Sequence, residues 1–213
     1  LSSDPLFRME RALETHVAQH ADQILTLTGA MRDELGRRGI SKDKVTLAPN
    51  SCDPTRFTPR PRNTELAAKL NIPADVAVIG YIGTFVQYEG LDDLAQACAR
   101  LHAKGIDFRL LVVGSENTGN TARGSIAEKI ASIAKDSGFA DKLIMPGRIP
   151  HDAVEGYYDL IDIAPFPRKP QPVTEMVSPM KPLEALAMKK AVLVSSVQAL
   201  TEMVQDGQTG LVF

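Results

Sequence analysis

The sequence predicts an α/β fold built on a doubly wound parallel sheet. Strand-sized apolar runs such as Val76–Ile82 and Leu110–Val113 alternate with stretches whose apolar residues recur every three or four positions. The breaks between them open on glycine or proline. Strands separated by helices of this length require right-handed crossovers and therefore a mostly parallel sheet. Hydrophobic residues at 44% and charged residues at 23% are ordinary for a chain with a packed core.

The elements follow in order. After Pro5, Leu6, Met9, Leu13 and Val17 define an amphipathic helix ending near His20. A strand over Gln23–Leu27 leads to Thr28, which has the side chain of an N-cap for a helix through Met31 and Leu35. That helix stops at Gly36–Gly39, and Lys44–Ala48 is the next strand. Residues 49–63 carry Pro49, Pro54, Pro59 and Pro61, the composition of a stiff linker, and place a domain boundary near residue 58. Beyond it the pattern gives helix Thr64–Leu70, strand Ala77–Ile82, helix Leu91–Lys104 and strand Phe108–Val113. Helix Ser125–Ser137, strand Lys142–Met145, helix Asp152–Leu160 and strand Ile161–Ala164 follow. A loop then runs to Ser178, before a helix over Pro179–Met188 and a strand over Ala191–Ser195.

Charge and cysteine content exclude some classes. The net charge of −2 is mixed along the chain, so there is no basic stripe for nucleic-acid phosphates. No apolar run approaches the roughly 20 residues that span a bilayer. Two cysteines without a disulfide framework predict a reducing, cytoplasmic setting. Cys98 shares the apolar face of its helix with Leu91, Leu94 and Leu101, which predicts burial; Cys52 has no assigned role. Leu1 at the start and the apolar Gly210–Phe213 ending predict a piece of a longer protein.

In open α/β sheets ligands bind beyond the carboxyl ends of the strands, so the loops at Gly83, Gly114, Gly147 and Pro165 are the candidates. Gly114–Thr121 has the glycine spacing of a phosphate-binding loop, but Asn120 replaces the lysine. Gly80–Gly83 lacks the third glycine of a dinucleotide fingerprint, which argues against a dehydrogenase. His16 and His20 have the spacing of a zinc pair, yet Val17 replaces the catalytic glutamate, and a solvated helix face accounts for them. No metal site is expected.

The segment from Arg168 to Ala187 is the most informative. Ser178 is placed to cap a helix, Pro179 suits its first turn, and Pro182 is early enough to be tolerated. The free N–H groups and positive dipole end would attract a phosphate, with Lys181 and Arg168 adding full charges. Glu184 and Glu175 would flank that anion site, where carboxylates accept hydrogens from sugar hydroxyls. The plain alternative is a capped surface helix with solvated charges.

Taken together, these blocks resemble the retaining glycosyltransferases of two Rossmann-like domains, the GT-B architecture, in the large "group 1" family that uses nucleotide-sugar donors. Ala21–Thr28 looks like the family's late N-terminal-domain strand, and Pro49-Asn50-Ser-Cys-Asp53 with Phe57-Thr-Pro59 resembles its hinge. Ile79–Gly83 with Glu89-Gly90-Leu91, Gly147-Arg148-Ile149 with Asp162–Pro165, Pro179–Ala187, and Glu202 with Asp206–Leu211 follow in the family's order. The resemblance implies that residues 1–58 end an acceptor-side domain and that residues 59–213 form most of the donor-side domain. It implies that Glu175, Lys181 and Arg168 serve the chemistry, while Gly83, Arg148, Ile149, Val177, Ser178, Pro179 and Glu184 bind the donor. Within that set, Arg148 and Ile149 line the base pocket, Glu184 holds the ribose and Glu175 approaches the sugar.

The expected reaction moves a sugar, with retention, from a nucleoside-diphosphate donor to a glycan, lipid or small-molecule acceptor, without metal or other cofactor. The fragment alone is expected to be inactive and to self-associate, and the full-length protein to touch a membrane peripherally. Two departures stand out: Glu175 and Glu184 are nine positions apart where eight is commoner, and Thr84 and Glu89 stand where many relatives carry arginine and lysine. Arg168 and Lys181 are expected to take over that charge. The competing readings are a non-catalytic nucleotide- or partner-binding module of the same fold and an epimerase or phosphorylase of the same architecture, the latter without its cofactor lysine here.

Overall fold

A computed structural model describes residues 4–116 and 125–213. The first helix, α1 (Pro5–His20), is capped by Asp4, whose carboxylate accepts from the Leu6 amide at 2.9 Å. Strand β1 (Ile24–Thr26), helix α2 (Gly29–Arg37) and strand β2 (Val45–Leu47) follow, with β1 and β2 paired in parallel. Thr28 caps α2 as its residue type predicts, accepting from the Met31 amide at 3.1 Å.

After the proline-rich stretch the chain forms α3 (Thr64–Lys69), β3 (Val78–Ile82), α4 (Leu91–Ala103), β4 (Arg109–Val113), α5 (Ile126–Asp136) and β5 (Leu143–Gly147). It continues through α6 (Val154–Tyr158), β6 (Ile163–Phe166), α7 (Pro172–Met176), α8 (Lys181–Ala187), β7 (Ala191–Val194), α9 (Gln198–Thr201) and β8 (Leu211–Val212). The larger sheet has the order β5-β4-β3-β6-β7-β8, with every pairing parallel. Successive connections run outward from β3 on one side and from β6 on the other. The β3–β6 seam, registered at Ile79 and Ile163, is therefore the switch point where such sheets open a crevice.

The core sits on this sheet. Leu110 to Val113 are all buried, which means that both faces of β4 are covered, as a central parallel strand requires. Leu91, Leu94, Ala95 and Cys98 form the buried stripe of α4, at helical spacing. The proline-rich linker is tied down by three arginines: Arg56 pairs with Glu155, Arg60 with Asp159 at 3.3 Å and Arg62 with Asp162 at 3.7 Å.

Two expectations need correction, and one strand forms where none is expected. The loop expected before Ser178 contains α7, whose Pro172 start and Gln171–Thr174 capping box were unread signals. The following helix starts at Lys181, not Pro179, and its N-cap is Met180 rather than Ser178. The Gly210–Phe213 run contributes an edge strand, β8, beside β7. The apolar stripe of α1, from Leu6 to Val17, is exposed among the described residues. Asn120 and most of the phosphate-loop-like stretch lie outside the described residues.

Candidate functional site

The crevice at the switch point is walled by the Gly83 loop after β3, the segment after β6 and the start of α8. Gly83 lets the Lys181 side chain rest against the loop: a Cβ there would lie 2.4 Å from Lys181 Cε and 2.9 Å from its ammonium nitrogen, so any side chain would push the lysine end away. Gly90 fits for a comparable reason: its φ of 71° is left-handed, and a side chain would overlap the Pro167 carbonyl. This close approach brings the end of the 3-10 turn Gln87–Glu89 beside the segment after β6.

Lys181 and Arg168 converge on one buried carboxylate. Glu89 is 3% exposed; its Oε2 lies 3.1 Å from Lys181 Nζ and its Oε1 accepts from Arg168 Nε at 3.2 Å. The Tyr81 hydroxyl completes the cluster, accepting from Lys181 Nζ at 2.7 Å and donating toward Glu89 Oε2 at 3.1 Å. Burial lowers the pKa of the Lys181 ammonium, an effect Glu89 opposes, and burial raises that of the Tyr81 phenol, with Glu89 adding to the rise. Arg168 is 5% exposed, donates from Nη1 to the Val177 carbonyl at 2.8 Å and stacks over Tyr88. The two cations expected to face the diphosphate together thus have an internal counter-ion, and the three formal charges sum to +1.

The α8 start is held from the hinge. Asn50 Nδ2 donates to the Ser178 carbonyl at 2.9 Å and to its Oγ at 3.2 Å, so the Ser178 side chain is a latch to the linker and not a helix cap. Among the positions expected to offer amides to phosphate, the Val177 N–H is taken by the Val173 carbonyl and Pro179 has none. The Leu183 and Glu184 amides both return to the Met180 carbonyl, leaving those of Met180 and Lys181 ahead of the first turn.

Glu184 lies one turn into α8, half-buried, where its Oε2 accepts from the Tyr158 hydroxyl at 3.1 Å. Burial raises its pKa, against the effect of the Tyr158 hydrogen bond. Glu175 points elsewhere: its Oε2 accepts from the Gln198 amide at 2.8 Å, at the first turn of α9. Arg148 and Ile149 line a cavity of about 410 Å³ with Gly83, Thr84, Gly114 and His151, at the carboxyl ends of β3, β4 and β5. Gly83, Lys181, Arg148 and Ile149 are thereby brought to one crevice. Arg168 is enclosed beneath it, and Glu175 is turned toward α9.

Sequence reasoning missed the counter-ion role of Glu89 and the contributions of Tyr81, Tyr158 and Asn50. A signal for Glu89 existed, since an acid replacing a cation opposite two further cations is a candidate partner for them. Among the described residues no cluster of three or more His, Cys, Asp or Glu could hold a metal. Nδ1 of His20 meets the His16 carbonyl at 2.8 Å, and the two ring centres lie 4.2 Å apart along the helix face.

An all-parallel Rossmann-like sheet with a crevice at its switch point is the class of α/β domain that takes ligands beyond the carboxyl ends of its strands. The chain belongs to the family of glycosyl transferases group 1, whose pattern matches residues 76–213. It is similar to the D-inositol 3-phosphate glycosyltransferase of Stackebrandtia nassauensis, 30% identical over 93% of this chain and 44% of the relative. The 2-deoxystreptamine N-acetyl-D-glucosaminyltransferase of Streptomyces fradiae is 25% identical over 78% of this chain and 40% of the relative. Sucrose-phosphate synthase from Thermosynechococcus elongatus superposes with a TM-score of 0.75 at 26% identity, covering 94% of this chain and 47% of that one. Anabaena HepE in complex with UDP superposes at 0.81 and 15% identity over 93% and 52%, a likeness of fold alone. The fold is the Rossmann-like α/β fold of GT-B glycosyltransferases. The chain spans less than half the length of these curated relatives.

Proposed function

We propose that this chain is the donor-binding half of a glycosyltransferase that moves a sugar from a nucleoside-diphosphate sugar to an acceptor hydroxyl, with retention. The observation that carries the reading is the Lys181 side-chain end against the bare backbone of Gly83, a residue that itself lines the cavity of Arg148 and Ile149. A base in that cavity puts the diphosphate over Gly83 and Lys181, and the ribose toward Glu184 on the same helix. In the reaction the bond from the anomeric carbon to the diphosphate oxygen breaks and its electron pair leaves with the phosphate. The acceptor oxygen bonds to that carbon and loses its proton. The chain's contribution is to hold the departing charge with Lys181 and the amides at the start of α8. No cofactor or divalent metal is assigned to this step, since a lysine and backbone donors supply the positive charge.

Two of the relatives are named for different substrates, D-inositol 3-phosphate and 2-deoxystreptamine. The acceptor class therefore stays at glycan, lipid or small molecule, bound by a domain of which residues 1–58 would form the end. Cytoplasmic placement is supported by the absence of a disulfide, Cys52 and Cys98 both being free.

The test is a titration of this chain with UDP, GDP, ADP and their nucleosides, followed by a transfer assay on the full-length protein with anomer-resolved NMR of the product. One diphosphate should bind at least tenfold more tightly than its nucleoside, and Lys181→Met should abolish that preference. Equal affinity of all diphosphates and nucleosides would refute the donor site, and an inverted product would refute retention alone. The pairing of Glu89 with both cations gives weight to a second reading, a nucleotide-binding module without turnover; a full-length protein that binds the diphosphate sugar and neither transfers nor hydrolyses it would establish that reading.

A further inference from the structure

The acid at position 89 stands where the resemblance to the family leads one to expect a lysine, and it is buried without being idle. Its two oxygens serve different cations from different elements: Oε1 meets Arg168, which follows β6, and Oε2 meets Lys181, which opens α8. Arg168 in turn reaches the Val177 carbonyl, so the carboxylate ties together three parts of the crevice wall. Of the two cations, Arg168 is enclosed at 5% exposure, whereas the Lys181 side chain keeps 22% and lies against Gly83.

We propose that Glu89 is a positioning residue for the donor diphosphate: it holds Arg168 as an internal brace and leaves Lys181 as the phosphate-facing cation of the pair. The proposal rests on the donor-site reading above and assigns different tasks to two residues that the sequence made equivalent. Its physical basis is that two cations cannot share a buried cluster without a counter-charge. If Glu89 were neutral, Arg168 would repel the Lys181 ammonium and burial would act on that ammonium unopposed. Around Lys181 the titratable and charged groups are Glu89 from the 3-10 turn, Arg168 after β6, Tyr81 on β3 and Glu184 on its own helix. Tyr158 of α6 also reaches its carbonyl. Among these, Glu89 alone is a carboxylate within ion-pair distance of its Nζ.

The experiment has two arms on the full chain. In the first, lysines are reductively methylated with carbon-13 and the Lys181 signal, identified by its loss in Lys181→Arg, is titrated by NMR. Its midpoint should fall by about one pH unit or more in Glu89→Gln, the size of a lost close opposite charge. Should that variant not fold, Glu89→Asp reads the same quantity, because a side chain one methylene shorter cannot span both cations and the midpoint again falls. An unchanged or raised midpoint overturns the proposal.

In the second arm, UDP and uridine are titrated at pH 6 and pH 9. Wild type should keep its preference for UDP at both, while Glu89→Gln should lose severalfold more of it at pH 9 than at pH 6, the direction that a lowered Lys181 midpoint gives. Arg168→Lys keeps a cation beside Glu89 while giving up the bond to the Val177 carbonyl, so the preference should stay within a few fold of wild type; a loss as complete as that of Lys181→Met would make Arg168 a phosphate ligand and overturn the division of tasks. Equal binding of UDP and uridine by wild type would count against the donor site itself, whereas the amine titration judges Glu89 separately.

Discussion

The amide of Gly29 donates to the carboxylate of Glu202 across 173 positions of sequence, at 2.7 Å, and the next amide, that of Ala30, donates to its other oxygen at 2.9 Å. Glu202 follows α9, yet it caps the first turn of α2. Thr28 strengthens the junction, since its hydroxyl donates to the Met176 carbonyl at 2.6 Å while its oxygen caps α2. Asn50 and Ser178 supply a further tie nearby. The β1–α2–β2 unit is therefore fixed to the helices flanking the six-stranded sheet by polar contacts at a helix start.

Glu202→Ala should lower the unfolding free energy by about 1 to 2 kcal/mol, the worth of a charged cap on two free amides. Glu202→Gln should retain part of this through its remaining carbonyl oxygen. Urea denaturation midpoints measure both, and an unchanged midpoint in the alanine variant would show that the contact contributes nothing.

Glu184 should separate binding from folding. Its pKa is raised by burial, so the folded state favours the protonated acid; that stability is full below the unfolded pKa and is lost as pH rises through the folded one. At neutral pH Glu184→Gln should therefore be no less stable than wild type, while nucleoside affinity falls about tenfold through loss of a charge-assisted acceptor. Wild-type affinity should also drop on acidification from above the ordinary carboxylate range, as the carboxylate becomes protonated. Thermal melts beside nucleotide titrations check both statements.

Asp92 should dominate one part of the acid response. Burial alone would raise its pKa, but ion pairs with Lys129 at 2.6 Å and Lys169 at 2.8 Å bring it down from 3.8 to about 2. A depressed carboxylate contributes stability above its unfolded pKa and loses it as pH falls from about 4 toward 2. Asp92→Asn should cost about 1 to 2 kcal/mol at pH 7, allowing for the solvent exposure of Lys129, and almost nothing at pH 2. Guanidinium denaturation at the two pH values distinguishes them.

Cys98 should be chemically silent. It is fully buried on α4, and burial pushes its thiol up to about 12, so almost no thiolate exists at pH 8. Iodoacetamide should leave Cys98 unmodified in the folded chain and label it after unfolding, as read by peptide mass spectrometry.

The outline of the fold was legible because each element carried its own local signal. The stripe of Leu91, Leu94, Ala95 and Cys98, the Thr28 cap and the continuous apolar run of β4 are properties of neighbouring residues, and they turn out as their spacing implies. Two places depart from the local pattern: α7 begins at Pro172 with a capping box within a proline-rich stretch, and the Ser178 side chain, suited to a helix cap, is claimed instead by Asn50, a partner 128 positions away.

The sequence by itself determined the parallel α/β architecture and the family, and it singled out Gly83, Arg148, Ile149, Lys181 and Glu184 as candidates for one site. Only the tertiary structure decided which charges are free to act. Arg168 and Lys181 look alike in sequence, but the fold buries one and leaves the other at the Gly83 loop, with Glu89 between them. Glu175 and Glu184 likewise diverge, one bound to the α9 amide and the other to Tyr158. The reason is physical: helix and strand periodicity is set within a few residues, whereas the state of a charge is set by burial and by partners that folding brings from tens or hundreds of positions away.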